Sequence, residues 1–344
     1  MNKTQQLIPL TSWLTINHTC NLKCVWCYQQ QFSGNGKSMS KELIVELVDL
    51  LSNLPVKDVI LIGGEPTIHP LFLKTVKIIR DKGLMPRVVS NSICFNNIDF
   101  VKKAENVGLN MVVSSVKGFS EDEYEKATGI RAFERVKKAI ENLESSKINH
   151  RISITITPAT ILSWEKVIAF VKSCKTKDFC FSFEKPCLVE NEIVFKDGML
   201  PLKIAECIET LIYPTLIEAG VSFKIDLMFP QCQLSKDFVS KLESEERVFS
   251  GCHLLTCSSI IFDPDGQVLP CNHLITNPIG KYKVDFTTAE EYLAWRKSYA
   301  SSESFIISNS APCEKCVNCE RWTKCGAGCR LFWLFQGEKV LLPP

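Results

Sequence analysis

The chain has 344 residues, enough for two domains or one large domain with an appendage, and 45% of them are hydrophobic. Its 40 basic and 38 acidic side chains leave a net charge of +2 and no basic stripe, so no nucleic-acid partner is expected. No apolar run reaches the roughly 18 residues that a membrane span needs, and the opening MNKTQQLIPLTSW holds no apolar core of secretory-signal length, so no membrane partner and a cytoplasmic location are expected.

From about residue 12 to 219 the pattern alternates between strand and helix. Residues 12–17 (SWLTIN) read as a strand, and 40–54 as a helix with Ser40 as its N-cap. A short apolar strand, 58–66 (DVILIGGEP), ends in a glycine turn, and the helix 70–83 stops at Gly83. Then come a strand at 86–92, a helix at 97–108, a strand at 109–116, a helix at 131–146, a strand at 151–158, a helix at 163–174 and a strand at 178–186. A last long helix, 201–220, carries Pro214 as a point of kinking. Six strands each followed by a helix predict an α/β fold with a parallel sheet and right-handed crossovers, closer to a partial (β/α)6 barrel than to a full eightfold one.

In the fifth strand Ile152, Ile154 and Ile156 alternate with Ser153, Thr155 and Thr157. In the sixth, Phe179, Phe181 and Phe183 alternate with Cys180, Ser182 and Glu184. Period two places each set on one side. The apolar sides are expected against the helices and the polar sides in the lumen, as suits a barrel that holds a polar substrate; the alternative is one wet sheet face. After residue 220 come one more strand-like run and a charged helix at 234–247, then a cysteine-rich region with few long helices. The expected organisation is a barrel over 1–225, a linker and helix over 226–250, and a small cysteine-rich domain over 251–344.

Cysteine is the abnormal count: 17, an odd number, with three near the start, eight between 252 and 329 and six scattered between. Clustering at short spacing in a reduced compartment points to metal ligation rather than to disulfides. Cys20, Cys24 and Cys27 follow the first strand directly. Three thiolates are one short of a closed site. Either a fourth ligand lies elsewhere, with His18 nearby and zinc the metal, or one position is left open.

The run Cys20-x3-Cys24-x2-Cys27, followed by Tyr28, resembles the signature of radical S-adenosylmethionine (radical SAM) enzymes. That resemblance implies a [4Fe–4S] cluster on the three cysteines whose fourth iron takes the amino and carboxylate groups of SAM. One electron, from a flavodoxin or ferredoxin, then yields a 5′-deoxyadenosyl radical that abstracts hydrogen from the substrate. It also implies a role for GGEP at 63–66, one βα unit downstream: Gly63 and Gly64 for close backbone approach and Glu65 to accept from the methionine ammonium. Trp26 falls near the expected adenine, and Tyr28 beside the cluster. Asn91 and Ser115 fall where polar groups meet the methionine carboxylate or the ribose, with strand-end capping as the alternative. Relatives often read S-x-D-G at the end of the fourth strand; here Ser115 to Gly118 read SVKG, with Lys117 replacing the acid.

The second cysteine set, Cys252-x4-Cys257 and Cys271, then Cys313, Cys316, Cys319, Cys325 and Cys329, resembles the SPASM extension of these enzymes, which holds two auxiliary [4Fe–4S] clusters. The resemblance implies one cluster on Cys252, Cys257, Cys271 and Cys329 and another on Cys316, Cys319 and Cys325. No cysteine follows Cys329, so Cys313 is expected to fill the vacancy. A paired zinc ribbon is the rival reading. Asp265-Gly266 predicts a hairpin turn between Ile261 and Leu269 that brings Cys257 and Cys271 close.

Of the other cysteines, Cys94, Cys174, Cys180, Cys187, Cys207 and Cys232, most are expected to be buried small apolar residues. Cys180, for its lumen-facing phase, and Cys232, just ahead of the cluster region, are candidate hydrogen-atom donors to a substrate radical. Glu184, His273, Lys224 and Asp226 are candidate substrate-handling groups, against the reading that each is a solvated surface residue.

Radical SAM enzymes with this extension mostly modify peptides or proteins, by crosslinking, epimerisation or oxidation. The signature starts at residue 20, so no leader-binding domain of roughly 80 residues is expected ahead of it. Leader recognition would fall to this fold's own surface or to a separate leader-binding protein. An anaerobic sulfatase maturase, forming formylglycine, would carry an Asp straight after Cys271. Here Asn272 cannot accept a proton, though His273 can. A small-molecule dehydrogenase or epimerase and a non-catalytic iron–sulfur electron carrier complete the alternatives.

Overall fold

The apolar phases of the strands meet in one helix-facing layer in the computed structural model of the chain, which describes residues 9–32, 36–189, 192–196, 198–249, 252, 258–308 and 310–335. Strands β1 (Thr11–Asn17), β2 (Asp58–Gly63), β3 (Met85–Ser90), β4 (Met111–Val116), β5 (Asn149–Ile156) and β6 (Asp178–Phe183) lie side by side in chain order, every neighbour parallel. This is the α/β class and the parallel order that the alternation predicts. Between the strands run α1 (Lys41–Ser52), α2 (Phe72–Asp81), α3 (Ile98–Asn106), α4 (Glu121–Thr128), α5 (Phe133–Glu144), α6 (Pro158–Leu162) and α7 (Trp164–Ser173). Ser40 caps α1 as expected, its hydroxyl accepting from the Leu43 N–H.

Two of these helices, α4 and α6, were not anticipated. In α4 only Tyr124 and Thr128 are buried, so no apolar stripe marks it. Its caps are nonetheless explicit: Ser120 accepts from the Glu123 N–H, and Gly129 ends it at φ +81°. The single turn α6 is likewise opened by Thr157, whose side chain accepts from the Thr160 N–H. The long helix expected at 201–220 is interrupted near Pro214. It runs as α8 (Pro201–Cys207), a π turn (Ile208–Ile212) and α9 (Tyr213–Glu218), with the Tyr213 N–H reaching the Ile208 carbonyl. Pro214 has no N–H to offer the preceding turn, and the widened turn absorbs the mismatch.

Register confirms the two faces. Ile152 stands beside Phe179, and Phe179 beside Phe223, on the side where all three are buried. The opposite row, Ser115, Ser153, Cys180 and Lys224, crosses β4, β5, β6 and β9 (Ser222–Asp226) on the lumen side. A hairpin of β7 (Cys187–Val189) and β8 (Glu192–Val194) follows β6 outside the main sheet.

The sheet continues beyond the six expected strands at both edges. β9 pairs with β6, and β10 (Val248–Phe249) with β9, both parallel. At the other edge β11 (Ser259–Phe262) pairs in parallel with β1, Thr11 opposite Ser259, so strands from both sides of the expected 226–250 linker share one sheet. The hairpin predicted at Asp265-Gly266 is present: Gly266 sits at φ +77° and the Leu269 N–H donates to the Ile261 carbonyl at 2.9 Å. It leads through β12 (Gln267–Val268) to β13 (Gly280–Lys281). Cys257, which the turn was expected to bring near Cys271, lies outside the described residues.

The two faces make a direct prediction for denaturant unfolding. Phe181→Ala, on the helix side, is expected to cost about 3–5 kcal/mol, and its neighbour Ser182→Ala, on the lumen side, to stay within about 0.5 kcal/mol. Equal costs would mean that the faces are assigned wrongly.

Candidate active site

The loop that carries Cys20, Cys24 and Cys27 has little regular structure of its own and is held from outside. On one side the Gly64 N–H donates to the Asn17 carbonyl and the Glu65 N–H to the Thr19 carbonyl, both at 2.8 Å. The Asn17 amide ties the same two strand ends, donating to the Thr19 and Glu65 carbonyls at 3.1 Å. On the other side the Lys23 and Val25 N–H groups donate to the Thr128 and Ala127 carbonyls, the last of α4, at 2.9 and 3.1 Å. A helix C-terminus has carbonyls to spare, and the loop uses them. Asn91 donates from its side chain to the Asn21 side chain at 2.7 Å, completing the brace from β3.

The GGEP turn serves this brace, which corrects the expected reason for its glycines. A Cβ at Gly64 would lie 2.3 Å from the Thr19 carbonyl oxygen and 2.4 Å from that of His18; one at Gly63 would lie 2.2 Å from that of Asn17. The glycines admit the cysteine loop itself. Glu65 is buried and points inward. Its Oε1 accepts from the Thr67 N–H, the Thr67 hydroxyl and the Ser90 hydroxyl, and its Oε2 from the Asn91 N–H at 2.7 Å. Burial pushes its pKa up while these donors pull it down, with a net rise. Only Oε2 keeps room for a further donor. Asn91 accepts in turn from the Ile93 N–H, the strand-end capping that was the alternative reading for it.

All three cysteines line a cavity of about 240 Å³ at the strand C-terminal ends, with Trp26, Tyr28, Gly63, Gly64, Glu65, Asn91 and Ser115. Every expected cofactor-contacting residue is thus in one place. Thr155 and Ser182 join them from the polar faces of β5 and β6. Lys117, where relatives carry an acid, donates to the Ser115 hydroxyl and lies 5.9 Å from the centre of the Trp26 ring.

The thiols suit a cluster. The Leu22 N–H points at the Cys20 sulfur at 3.3 Å and the Gln29 N–H at the Cys27 sulfur at 3.4 Å. Burial pushes Cys20 up to about 12 and Cys24 up to about 11, so metal binding must displace their protons. His18 is engaged elsewhere, donating from Nδ1 to Gln29 at 2.8 Å and stacking on Phe32. Among the described residues no group of three His, Cys, Asp or Glu side chains is gathered tightly enough for a single metal ion. In a cubane each thiolate sits on a different iron, so wider spacing is what that group requires.

The substrate-handling candidates divide. Glu184 and His273 line the cavity and are buried or nearly so, against the surface reading. The His273 Nδ1 donates to the Pro186 carbonyl at 3.2 Å, leaving Nε2 as an acceptor, and the ring lies 5.0 Å from that of Tyr28. Burial, with Lys185 nearby, lowers its pKa to about 4, so the imidazole is neutral. Asp226 pairs with Lys185 at 2.6 Å, and Lys224 lies over the Phe249 ring. Cys180 is one layer deeper, level with Ser153 and Lys224. Cys232 corrects its expected role: it is exposed at the start of the run to α10 (Lys236–Ser244), outside the cavity lining and beside the second cysteine set. The other scattered cysteines fit the apolar reading, with Cys174, Cys187 and Cys207 buried and Cys94 half-buried. Lys185, which was missed, follows the last residue of a strand's polar phase, where barrel sites gather.

Cys252, Cys271 and Cys329 influence one another electrostatically, and Lys185 stands close to the last two. The Cys329 N–H donates to the Met228 carbonyl at 2.9 Å. In the second group Cys313 and Cys316 have their sulfurs 3.6 Å apart, and the Gln231 N–H points at the Cys325 sulfur at 3.4 Å.

Residues 14–174 match the model of the Radical SAM superfamily. The chain carries a radical SAM domain. The superfamily implies a [4Fe–4S] cluster and SAM, and Cys20, Cys24 and Cys27 with their cavity are the residues that would hold them. A Pyrococcus abyssi protein named Probable GTP 3′,8-cyclase is 27% identical over 205 residues, 58% of this chain and 65% of that protein. A Saccharolobus islandicus protein of the same name is 27% identical over 130 residues, 38% of this chain and 42% of that protein. The chain therefore spans less than two thirds of the length of these curated relatives. Among solved structures, native anSMEcpe with bound AdoMet superposes with a TM-score of 0.70 at 20% identity, covering 94% of this chain and 90% of that one. Streptococcus suis SuiB bound to S-adenosylmethionine gives 0.72 at 17%, covering 98% and 77%. At these identities the likeness is one of fold, and it extends past the radical SAM domain into the cysteine-rich segment. No helix among the described residues is long and apolar enough to cross a membrane.

If the GGEP turn exists to seat the cysteine loop, Gly64→Ala displaces it. Anaerobically reconstituted Gly64→Ala protein is expected to lose about four irons and its SAM cleavage, while Leu162→Ala, at a side chain 90% exposed, changes neither. Full iron content in Gly64→Ala would contradict this.

Proposed function

We propose that the chain is a peptide- or protein-modifying radical SAM enzyme with a SPASM-like C-terminal segment holding auxiliary [4Fe–4S] clusters. The observation that carries this reading is the adjacency of two thiol systems. The SAM-site cavity is lined by Cys20, Cys24 and Cys27 on one side and by Lys185 and His273 on the other. The His273 N–H points at the Cys271 sulfur at 3.4 Å, and Cys252, Cys329 and Lys185 act on Cys271 electrostatically. A substrate in the cavity would meet the radical source and an electron acceptor in one space.

Bound there, cluster and SAM would supply a 5′-deoxyadenosyl radical for hydrogen abstraction. The chain's residues do the remainder. Glu65, Asn91 and Ser115 set the polar wall for the methionine and ribose groups, and Trp26 offers a ring face for adenine. Thr155 and Ser182 hold a polar substrate portion by hydrogen bonds. His273, oriented by Pro186, accepts a proton released as the substrate is oxidised, the task for which Asn272 has no basic atom. Cys252, Cys257, Cys271 and Cys329 would hold the nearer auxiliary cluster, and Cys316, Cys319 and Cys325 three irons of the farther one. A flavodoxin or ferredoxin would supply the electron.

Two of the fold neighbours support a peptide: anSMEcpe with bound Cp18Cys peptide, and SuiB bound to precursor peptide SuiA. The curated relatives' name favours GTP, so a nucleotide is the second reading.

The test is anaerobic assay of the reduced protein with SAM, offering in separate arms the short peptides encoded beside its gene and GTP. Expected are 5′-deoxyadenosine and a peptide mass change. His273→Gln is expected to keep the 5′-deoxyadenosine while losing about a hundredfold of the modified peptide. GTP-dependent turnover with unchanged peptides would support the nucleotide reading instead.

A further inference from the structure

We propose that Cys232, on the barrel side of the chain, is the fourth ligand of the farther auxiliary cluster, with Cys316, Cys319 and Cys325. This inference rests on the auxiliary-cluster reading above and replaces Cys313, the ligand expected from the sequence.

Three observations carry it. Cys313 and Cys316 have their sulfurs 3.6 Å apart. Two thiolates bound to one ion at about 2.3 Å in a tetrahedron stand about 3.8 Å apart, so this pair is spaced for a shared metal. Ligands on separate irons of a cubane stand wider. Cys313 therefore duplicates the place of Cys316 and does not offer the opposite corner. Cys232 approaches from a different element, next to Gln231, whose N–H points at the Cys325 sulfur, and Cys325, Cys319 and Cys313 act on it electrostatically. It also acts on Cys316.

The backbone that carries Cys232 is fastened to the C-terminal run at three points. The Gln231 N–H points at the Cys325 sulfur at 3.4 Å, and the Gln231 side chain accepts from Arg321 at 2.8 Å. Gly328, at φ +71°, lies so close that a Cβ would sit 2.5 Å from the Phe229 backbone. The segment is thus seated before any metal binds. Cys232 is nonetheless exposed, as a ligand awaiting its partner would be and a core cysteine would not. On ligation each thiol gives its proton to solvent as the Fe–S bond forms, and no electron is transferred. The cluster would then staple the C-terminal segment to the strand end that carries Asp226, the partner of Lys185 in the cavity.

The test compares Cys232→Ala, Cys313→Ala and Cys316→Ala in the full chain, each reconstituted anaerobically, by iron and sulfide analysis and Mössbauer spectroscopy. Wild type is expected to hold about twelve irons in three cubanes. Cys232→Ala and Cys316→Ala should fall to about eight, and Cys313→Ala should stay at the wild-type level. Loss of iron in Cys313→Ala with retention in Cys232→Ala, retention in both, or loss in both overturns the assignment. Unchanged iron in Cys316→Ala, or only about eight irons in wild type, overturns the auxiliary-cluster reading itself. Cys232→His guards against simple misfolding: it should keep its irons and raise the reduction potential of one cluster, as histidine ligation does, and three unmoved potentials count against the proposal.

Discussion

The bracing of one loop is the constraint on which the rest depends. Residues 18 to 27 must present three sulfurs in fixed relation, yet they have almost no hydrogen bonds among themselves to hold them so. The structure supplies the missing bonds from two directions. The Gly63-Gly64-Glu65 turn donates to one end of the loop, and the terminal carbonyls of α4 accept from the other. A loop held only at its ends by strand connections would lose its ordering entropy each time a cluster bound. Here folding of the barrel has already met that cost, because the groups that order the loop belong to β2, β3 and α4.

Glu65 shows how the brace passes into the site. Its carboxylate gathers four donors from Thr67, Ser90 and Asn91, and through them fixes the C-terminal ends of β2 and β3 against each other. Asn91 then reaches across to Asn21 in the cysteine loop. The same residues that line the cavity therefore hold its shape. On the lumen side β5 and β6 add hydroxyls, a thiol and charged groups, while the phenylalanines of β6 and the isoleucines of β5 pack on the helix side. That division brings polar groups to the cavity without weakening the core.

Much of this was legible in the sequence, for physical reasons. Period-two alternation named the faces of β5 and β6, the C-x3-C-x2-C spacing named the cysteine loop, and Asp265-Gly266 named its hairpin. Each is a local pattern that the backbone cannot satisfy in many ways. What was not legible is long-range. α4 buries too little to show a stripe, although it holds the cysteine loop. The glycines of GGEP read as room for a ligand, when the nearest atoms are the backbone of His18 and Thr19. Cys232 read as a hydrogen-atom donor ahead of the cluster region, because the sequence does not say that its backbone meets Cys325, nearly a hundred residues on. The extension of the sheet by β11 was hidden for the same reason, since a four-residue strand beyond a linker does not announce its partner.

The central claim is that Cys20, Cys24 and Cys27 leave one iron of their cluster without a protein ligand. Electron–nuclear double resonance on the reduced protein, with SAM carrying nitrogen-15 at its amino group, addresses that iron directly. A nitrogen-15 coupling that vanishes when unlabelled SAM is used is the predicted result. A protein-derived nitrogen coupling in its place, with none from SAM, would mean that a side chain such as His18 closes the site, and the account would fail.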